Sequence, residues 1–264
     1  MNDNVRNNSA NMEPSRMELG LVAVIVYDGL SLFEYGCAVE VFGLPRPEMG
    51  EHWYRFASCA AEPGVLRGAG GIQLQPSDGL ELLEQARTII VPGWRGIEAP
   101  VPGPLCEALR QAHARGARIL SICTGAFVLA AAGLLDGRRA TTHWRHAPAL
   151  AVRYPRVQVQ ADVLYVDVGS ILTSAGSAAG IDLCLHLIRR DLGPRMANQV
   201  ARRLVMPPHR EGGQAKYIEE PVSRRASASL APLLDAAALA RVTLHATLPN
   251  GQPAANAEVA LAAV

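Results

Sequence analysis

One cysteine, Cys123, stands where an apolar run changes into a run of small residues, in the segment ILSICTGAFVLAAAGLLDG (119–137). The apolar run predicts a buried strand and the small residues predict a helix, so the thiol is expected on a sharp strand-to-helix turn at the carboxyl edge of a sheet. A thiol there can be a nucleophile or a ligand contact. It can also be ordinary core, because free cysteine often packs as a small hydrophobe.

The start of the predicted helix adds chemistry to this turn. The backbone N–H groups from Thr124 and Gly125 onward can bind an anion or hold an oxyanion. The positive end of the same helix is expected to lower the pKa of the thiol and favour the thiolate. Gly125 also leaves room for a neighbouring segment to approach closely. These features favour a reactive or ligand-binding cysteine, with core packing still open.

The remaining cysteines lie inside apolar patterns and are predicted to be core: Cys37, Cys59, Cys106 and Cys184. Five cysteines without regular spacing argue against a disulfide framework and indicate a reducing cytoplasm. The segment HWRH (143–146) has no second Cys/His pair beside it, so no metal site is predicted. The segment GAGG (68–71) lacks the third glycine of a dinucleotide fingerprint, and no cofactor is expected.

Composition limits the classes of function. The chain has 264 residues, is 49% hydrophobic, and carries 25 Lys and Arg against 24 Asp and Glu. This near-neutral balance provides no whole-molecule field for nucleic acid. No uncharged apolar run reaches the roughly 20 residues of a membrane span, and no signal peptide precedes the first strand. We therefore expect a cytoplasmic protein with no membrane partner.

Strands and helices alternate along residues 19–207, which predicts a mostly parallel sheet with helices on both faces, an α/β sandwich of the flavodoxin-like class. Strands are predicted at 19–29, 54–61, 87–94 and 117–123, and as a pair around a turn within 157–176. Helices are predicted at 31–44, 81–86, 103–116, 147–155, 178–193 and 194–207. The Gly-rich segment 64–79 predicts a hairpin or an irregular crossover.

Both ends of the chain differ from this pattern. Residues 1–18 are polar and Asn-rich and are predicted to be disordered. Residues 208–228 are rich in Pro, Gly and Ser, which is typical of a linker. Residues 229–264 are Ala-rich, weakly periodic, and too few to bury a core of their own.

The ordered motifs of the chain resemble the DJ-1/PfpI superfamily, which implies a DJ-1-like sandwich and a homodimer. More narrowly, the chain looks like the amidotransferase-like N-terminal domain of AraC-type transcriptional regulators of the FtrA/GlxA-like group. The final segment RRLVMPPHREGGQAKYI (202–218) is typical of that regulator branch. The other motifs are AVIVYDGLSLFEYGCAVEVFG, TIIVPGW, ILSICTGAFVLAAAGLLDGRRATTHW and SAGSAAGIDLCLHLIRRDLG.

The resemblance assigns partners to the thiol. Cys123 matches the elbow cysteine of the superfamily, and Glu34 matches the acidic residue that approaches it. His143 matches the position where enzymatic members often carry a histidine, which would activate a thiol. Other roles stay open from the residues alone: Glu34 also fits a capping box with Ser31, and His143 also fits the start of a helix.

Ligand contacts are expected around the same turn. Thr124 and Gly125 follow the cysteine, and Gly93 and Trp94 belong to the TIIVPGW motif of the resemblance. Ser177 can supply a hydroxyl near the elbow, although turn chemistry is an equally ordinary role for it.

We favour a transcriptional regulator whose elbow pocket senses an unidentified small molecule. The segment SLAPLLD (229–235) resembles the opening of the helix-turn-helix region, but the residues after it depart from that pattern, as in a truncated or frame-shifted remnant. DNA binding is therefore expected only where an intact helix-turn-helix domain is present. The alternatives are a cysteine enzyme of the amidase, isonitrile hydratase or glyoxalase-like type, with Cys123, Glu34 and His143 as catalytic residues, and a folded domain without activity of its own.

Overall fold

The structure is a computed structural model that describes residues 19–49, 53–210 and 212–214. The chain divides into units at 1–218 and 219–264, and every described residue belongs to the first. The predicted tail (1–18), most of the predicted linker (208–228) and the predicted helix-turn-helix remnant (229–264) lie outside the described residues and stay predictions.

A six-stranded sheet runs through the described unit in the order β2-β1-β5-β6-β10-β9. Neighbouring strands are parallel, except that β9 is antiparallel to β10. Two small two-stranded sheets, β3-β4 and β7-β8, accompany it. The strands are β1 (Leu21–Val26), β2 (Arg55–Ala60), β3 (Leu66–Arg67), β4 (Gln73–Leu74), β5 (Ala86–Val91), β6 (Arg118–Ile122), β7 (Arg139–Ala140), β8 (Gln158–Val159), β9 (Tyr165–Asp167) and β10 (Ile171–Ser174).

Helices cover both faces of the sheet, which confirms the predicted α/β sandwich. The α-helices are α1 (Leu32–Ala38), α2 (Gly103–Ala114), α3 (Gly125–Ala131), α4 (Ala147–Arg153), α5 (Ala179–Leu192) and α6 (Pro194–Arg203). Alternate residues of β1 divide between the two layers: Ala23 and Ile25 pack with α2 and α3, whereas Val22 and Val24 pack with α1, α5 and α6. All four are fully buried, as a strand between two helical layers requires.

Three local predictions differ from the structure or are refined by it. The predicted helix 31–44 ends as an α-helix at Ala38 and continues as a π-helical turn over Val39–Gly43. The predicted helix 81–86 is a 3-10 helix over Leu80–Glu84, because β5 begins at once at Ala86. The Gly-rich segment 64–79 contains an antiparallel hairpin of β3 and β4, one of the two predicted forms.

Candidate functional site

The predicted elbow is present at the carboxyl edge of the sheet. β6 ends at Ile122, α3 begins at Gly125, and Cys123 between them has φ +55°, a left-handed conformation that non-glycine residues rarely adopt. Its N–H donates to the carbonyl of Ser174 at 3.1 Å, so β10 holds the turn in place. A partly exposed thiol on a strained turn is typical of a functional position rather than of core.

Two glycines make room for this turn. A Cβ added to Gly176 would lie 2.4 Å from the Cβ of Cys123 and 2.8 Å from its sulfur. A Cβ added to Gly125 would lie 2.4 Å from the carbonyl oxygen of Val91, at the end of β5. Both positions therefore need glycine because neighbouring segments meet the elbow at backbone distance.

Glu34 reaches the elbow from α1. Its side chain is hydrogen-bonded to the sulfur of Cys123, and the residue is only 6% exposed. Gly93 lies beside both, since a Cβ there would be 3.5 Å from the Glu34 carboxyl carbon and 3.6 Å from the Cys123 Cβ. The capping-box role is wrong: Ser31 occupies the N-cap position without a side-chain cap bond, and Glu34 is turned into the site instead.

The thiol is held in its neutral form. Burial and the adjacent charge of Glu34 raise the pKa of Cys123 to about 11, and hydrogen bonds from Thr124 oppose this only in part. The helix start does lower the pKa of the thiol through Thr124, but burial and Glu34 outweigh it, so the prediction that the thiolate is favoured is wrong. A seven-residue helix provides less stabilisation to a thiolate than a nearby carboxylate and burial take away.

A buried shell supports these groups from the β5 side. The hydroxyl of Thr124 donates to the carbonyl of Trp94 at 3.0 Å, and the hydroxyl of Tyr27 donates to the carbonyl of Gly93. The Tyr27 and Trp94 rings are 4.5 Å apart. Thr124, Gly125, Gly93 and Trp94 thus do surround the elbow. The sequence reasoning missed Tyr27, although it directly follows the first strand at the same edge.

His143 has a different environment from the one its motif implies. Its Nδ1 accepts a hydrogen bond from the Arg145 N–H at 3.2 Å, which places it at the start of a 3-10 helix over Trp144–His146. Within the described residues no hydrogen bond or charge interaction joins its ring to Cys123. Burial and the charge of Arg145 lower the pKa of His143, so the ring is neutral near pH 7.

Ser177 lies on the rim of the elbow. It is exposed, has φ +48°, and its backbone carbonyl accepts a weak hydrogen bond from the Cys37 thiol at 3.8 Å. In the described part of the chain its hydroxyl has no hydrogen-bond partner. Among the described residues the hydroxyl thus makes none of the local hydrogen bonds that the turn role requires, and its use as a ligand contact stays a proposal.

Sequence reasoning also missed Thr142 and Gln214. The Thr142 hydroxyl donates to the carbonyl of Cys123 at 2.8 Å, directly under the elbow. Gln214 is 3% exposed and donates from its amide to the Thr142 carbonyl at 3.0 Å. Thr142 stands in the quoted RRATTHW motif, but Gln214 falls in a polar segment that predicts a linker, and no local signal indicates its burial.

The other cysteines do pack as core, as predicted. All four are buried free thiols: Cys37, Cys59, Cys106 and Cys184. Burial raises the pKa of each of them, to about 12 at Cys37 and Cys59. Cys123 is therefore the accessible thiol of the chain.

The described residues hold no group of three or more His, Cys, Asp or Glu side chains arranged to bind a metal ion. No helix among them is long and apolar enough to cross a membrane.

Comparison with known proteins identifies the family of this elbow. The profile of the DJ-1/PfpI family matches residues 21–190, which include Cys123, Glu34 and the strands that position them. The chain belongs to the DJ-1/PfpI family. The family predicted from the motifs is thereby confirmed.

Curated relatives of this DJ-1/PfpI chain include regulators and an enzyme. The HTH-type transcriptional regulator CdhR of Pseudomonas aeruginosa is 37% identical over 183 residues, which are 69% of this chain and 54% of the regulator. The isonitrile hydratase of Pseudomonas putida is 35% identical over 147 residues, 52% of this chain and 60% of the hydratase. The chain spans about half the length of the regulators it matches.

Solved structures give the same fold. The AraC family transcriptional regulator from Pseudomonas putida superimposes with a TM-score of 0.62 at 21% identity, covering 70% of this chain and 99% of that one. At this level of identity the likeness shows that the two chains share a fold.

Proposed function

We propose that this chain is the sensing part of a transcriptional regulator, with a small molecule bound at the elbow beside Cys123 and Glu34. The observation that carries this proposal is the meeting of the Cys123 thiol, the Glu34 carboxyl and Thr124 beside Gly93 on a left-handed elbow. Burial and Glu34 raise the pKa of the thiol to about 11, which favours a hydrogen-bonding group over a ready nucleophile. The similarity to the regulator CdhR over 69% of the chain supports the same role.

The shape of the site indicates what kind of ligand it takes. A carboxyl, a thiol and the Thr124 hydroxyl meet beside Gly93, where the missing side chain leaves room for close approach. Such a set recognises a small molecule that donates hydrogen bonds, for example an amine or an amide. Gly125, Trp94 and Ser177 complete the proposed contacts.

Ligand-induced stabilisation tests this proposal. A panel of small amines, amides and carboxylic acids is screened by thermal unfolding of the full chain, and a ligand at about 100 times its Kd is expected to add roughly 2.7 kcal/mol of stability. Glu34→Gln should lose the shift, whereas Glu107→Gln, on the exposed side of α2, should keep it. A panel that produces no shift, or a shift that survives Glu34→Gln, would refute the proposed site.

The same proposal extends to DNA binding, under one condition, and to dimerisation. DNA contact requires an intact helix-turn-helix domain accompanying the described unit. A homodimer, measured as the mass of the particle in solution, is expected from the family resemblance. Location in the cytoplasm follows if the protein regulates transcription.

A cysteine enzyme is the second candidate, favoured by the 35% identity to isonitrile hydratase and by the Cys123–Glu34 contact. Its test is turnover of small isonitriles and amides by the purified chain. Turnover that Cys123→Ala removes, while the unfolding transition stays intact, would establish this candidate. We expect no such turnover, because among the described residues no hydrogen bond joins His143 to the sulfur and the raised pKa keeps the thiol neutral at pH 7.

A further inference from the structure

The chain returns to the elbow after its last helix. We define the return segment as Arg210 together with residues 212–214. Although its sequence predicts a linker, the N–H of Gln214 donates to the carbonyl of Asp162 at 2.6 Å, and Gly213 pairs with Val163 as an antiparallel bridge. The segment is therefore part of the folded unit.

Gly213 shows how close this docking is. A Cβ added there would lie 1.6 Å from the carbonyl oxygen of Asp162. Only glycine lets the two backbones meet at this distance, so an alanine would displace the return segment.

Gln214 holds the loop of residues 142–144, which lies under the elbow. Its side-chain oxygen accepts from the Trp144 N–H at 2.7 Å, and its amide nitrogen donates to the carbonyls of Thr142 at 3.0 Å and Val163 at 3.0 Å. The next link is direct, since the Thr142 hydroxyl donates to the Cys123 carbonyl at 2.8 Å. Two hydrogen bonds, one buried and one partly buried, thus connect Gln214 with the elbow cysteine through Thr142.

A second contact joins the return segment to the other side of the elbow. Arg210 donates from Nε to the carboxylate of Asp182 at 2.9 Å, and Asp182 is buried on α5. The same helix carries Gly180, where a Cβ would be 3.0 Å from Ile122, the last residue of β6. The return segment therefore contacts two parts of the fold that themselves meet the elbow, the loop at Thr142 and helix α5.

We propose that the return segment is a coupling element: its docking through Gln214 and the state of the Cys123 pocket depend on one another. A buried polar network of this kind has few intermediate arrangements, because a lost partner leaves buried groups unsatisfied. Occupation of the pocket would shift the elbow, the loop at Thr142 and then Gln214, and release of Gln214 would loosen the elbow. This inference rests on the proposed sensing role for its meaning, since it names how a sensed state would reach the chain beyond residue 214.

Alkylation of the accessible thiol tests the coupling in one direction. The rate at which iodoacetamide modifies Cys123 in the full chain is measured by peptide mass spectrometry at about pH 8.5, where some thiolate exists. Gly213→Ala and Gln214→Ala should raise that rate about fivefold or more, the lower end of usual coupling between sites. Gly103→Ala and Gln111→Ala, the same substitutions on α2, are the matched controls and should leave it unchanged.

Hydrogen exchange tests the other direction without any substitution. In the wild-type chain, the peptide that contains residues 205–214 should exchange faster once Cys123 carries the carbamidomethyl group. Gln214→Glu is a second probe: it keeps an acceptor for the Trp144 N–H but places a carboxylate against the carbonyls of Thr142 and Val163, so it should raise the alkylation rate at least as much as Gln214→Ala.

Equal alkylation rates in release and control variants, or unchanged exchange in the alkylated chain, would overturn the coupling. If the variants fail to fold, the wild-type exchange measurement decides alone. Neither measurement needs the ligand or DNA. Coupling without ligand binding would refute the proposed function only, and ligand binding without coupling would refute this inference only.

Discussion

At the scale of single residues, the site is defined by a thiol whose ionisation is disfavoured by burial and by the neighbouring carboxyl of Glu34. Burial and the Glu34 carboxyl raise the pKa of Cys123, and the hydrogen bonds from Thr124 lower it by a smaller amount. A residue in this state contributes a hydrogen bond and a shape to a pocket. Its low reactivity at pH 7 is the physical reason to prefer binding over turnover.

Glu34→Gln tests the charge effect. The amide keeps the size of the side chain and removes its charge, so the pKa of Cys123 should fall from about 11 toward its ordinary value. Alkylation of Cys123 at a fixed pH below the midpoint should then be about tenfold faster, since one pH unit is a tenfold change in thiolate.

The measurement is the pH profile of the alkylation rate, with Glu107→Gln as the control. A midpoint that stays in place or moves to higher pH would contradict the assigned role of Glu34.

At the scale of elements, the elbow depends on how closely α3 approaches the end of β5. The space between Gly125 and the carbonyls of Val91 and Pro92 admits no side chain. That contact places the Gly93-Trp94 loop against the thiol. The close packing of α3 on β5 therefore also determines the geometry of the site.

Gly125→Ala should lower the free energy of unfolding by about 3 kcal/mol, because the added methyl group forces α3 away from β5. Urea denaturation followed by circular dichroism measures this. Gly103→Ala is the matched control, since nothing lies within 4 Å of a Cβ there. Equal stability of the two variants would mean that the elbow tolerates a side chain.

A buried ion pair ties the opposite, amino edge of the sheet to α5. Arg118 at the start of β6 donates to Asp191 at 2.8 Å, and Asp191 also accepts from the Tyr54 hydroxyl at 2.8 Å. The Asp191 side chain is only 5% exposed. Both partners are thus needed to keep buried charge compensated.

Arg118→Ala should destabilise the fold by about 3 kcal/mol, because it leaves the Asp191 carboxylate buried without its cation. Arg110→Ala breaks an exposed pair on α2 and should cause no measurable change. Comparison of the two unfolding midpoints in urea checks the difference. A similar effect of both substitutions would show that the amino-edge pair is not structurally important.

At the scale of the whole molecule, all five cysteines are free and the fold depends on its two apolar layers. Each layer joins residues far apart in the chain, from β1 to β10 on one side and to α6 on the other. No covalent crosslink restricts the unfolded chain.

The denaturation midpoint should therefore be the same with and without a reducing agent. In denaturant and without prior reduction, titration with a thiol-reactive reagent should detect five free thiols per chain. A lower count, or a midpoint that falls on reduction, would indicate a disulfide and contradict the structure.

The sequence by itself determined most of the strands and helices, the elbow and the family. Strand and helix patterns are local, because each depends on the spacing of apolar residues over a few turns or one strand. The change from ILSIC to TGAF in one step therefore placed Cys123 between β6 and α3 correctly. The alternation of elements likewise determined the parallel sheet and its carboxyl edge.

Only the tertiary structure decided what surrounds the thiol. Whether Glu34 caps its own helix or faces Cys123, and whether His143 reaches the sulfur, depends on how distant elements pack. Gln214 is the extreme case: it contacts Thr141, 73 residues earlier, from a segment whose composition predicts a linker. Burial and charge at such long-range contacts determine the pKa of the thiol, and no local pattern encodes them.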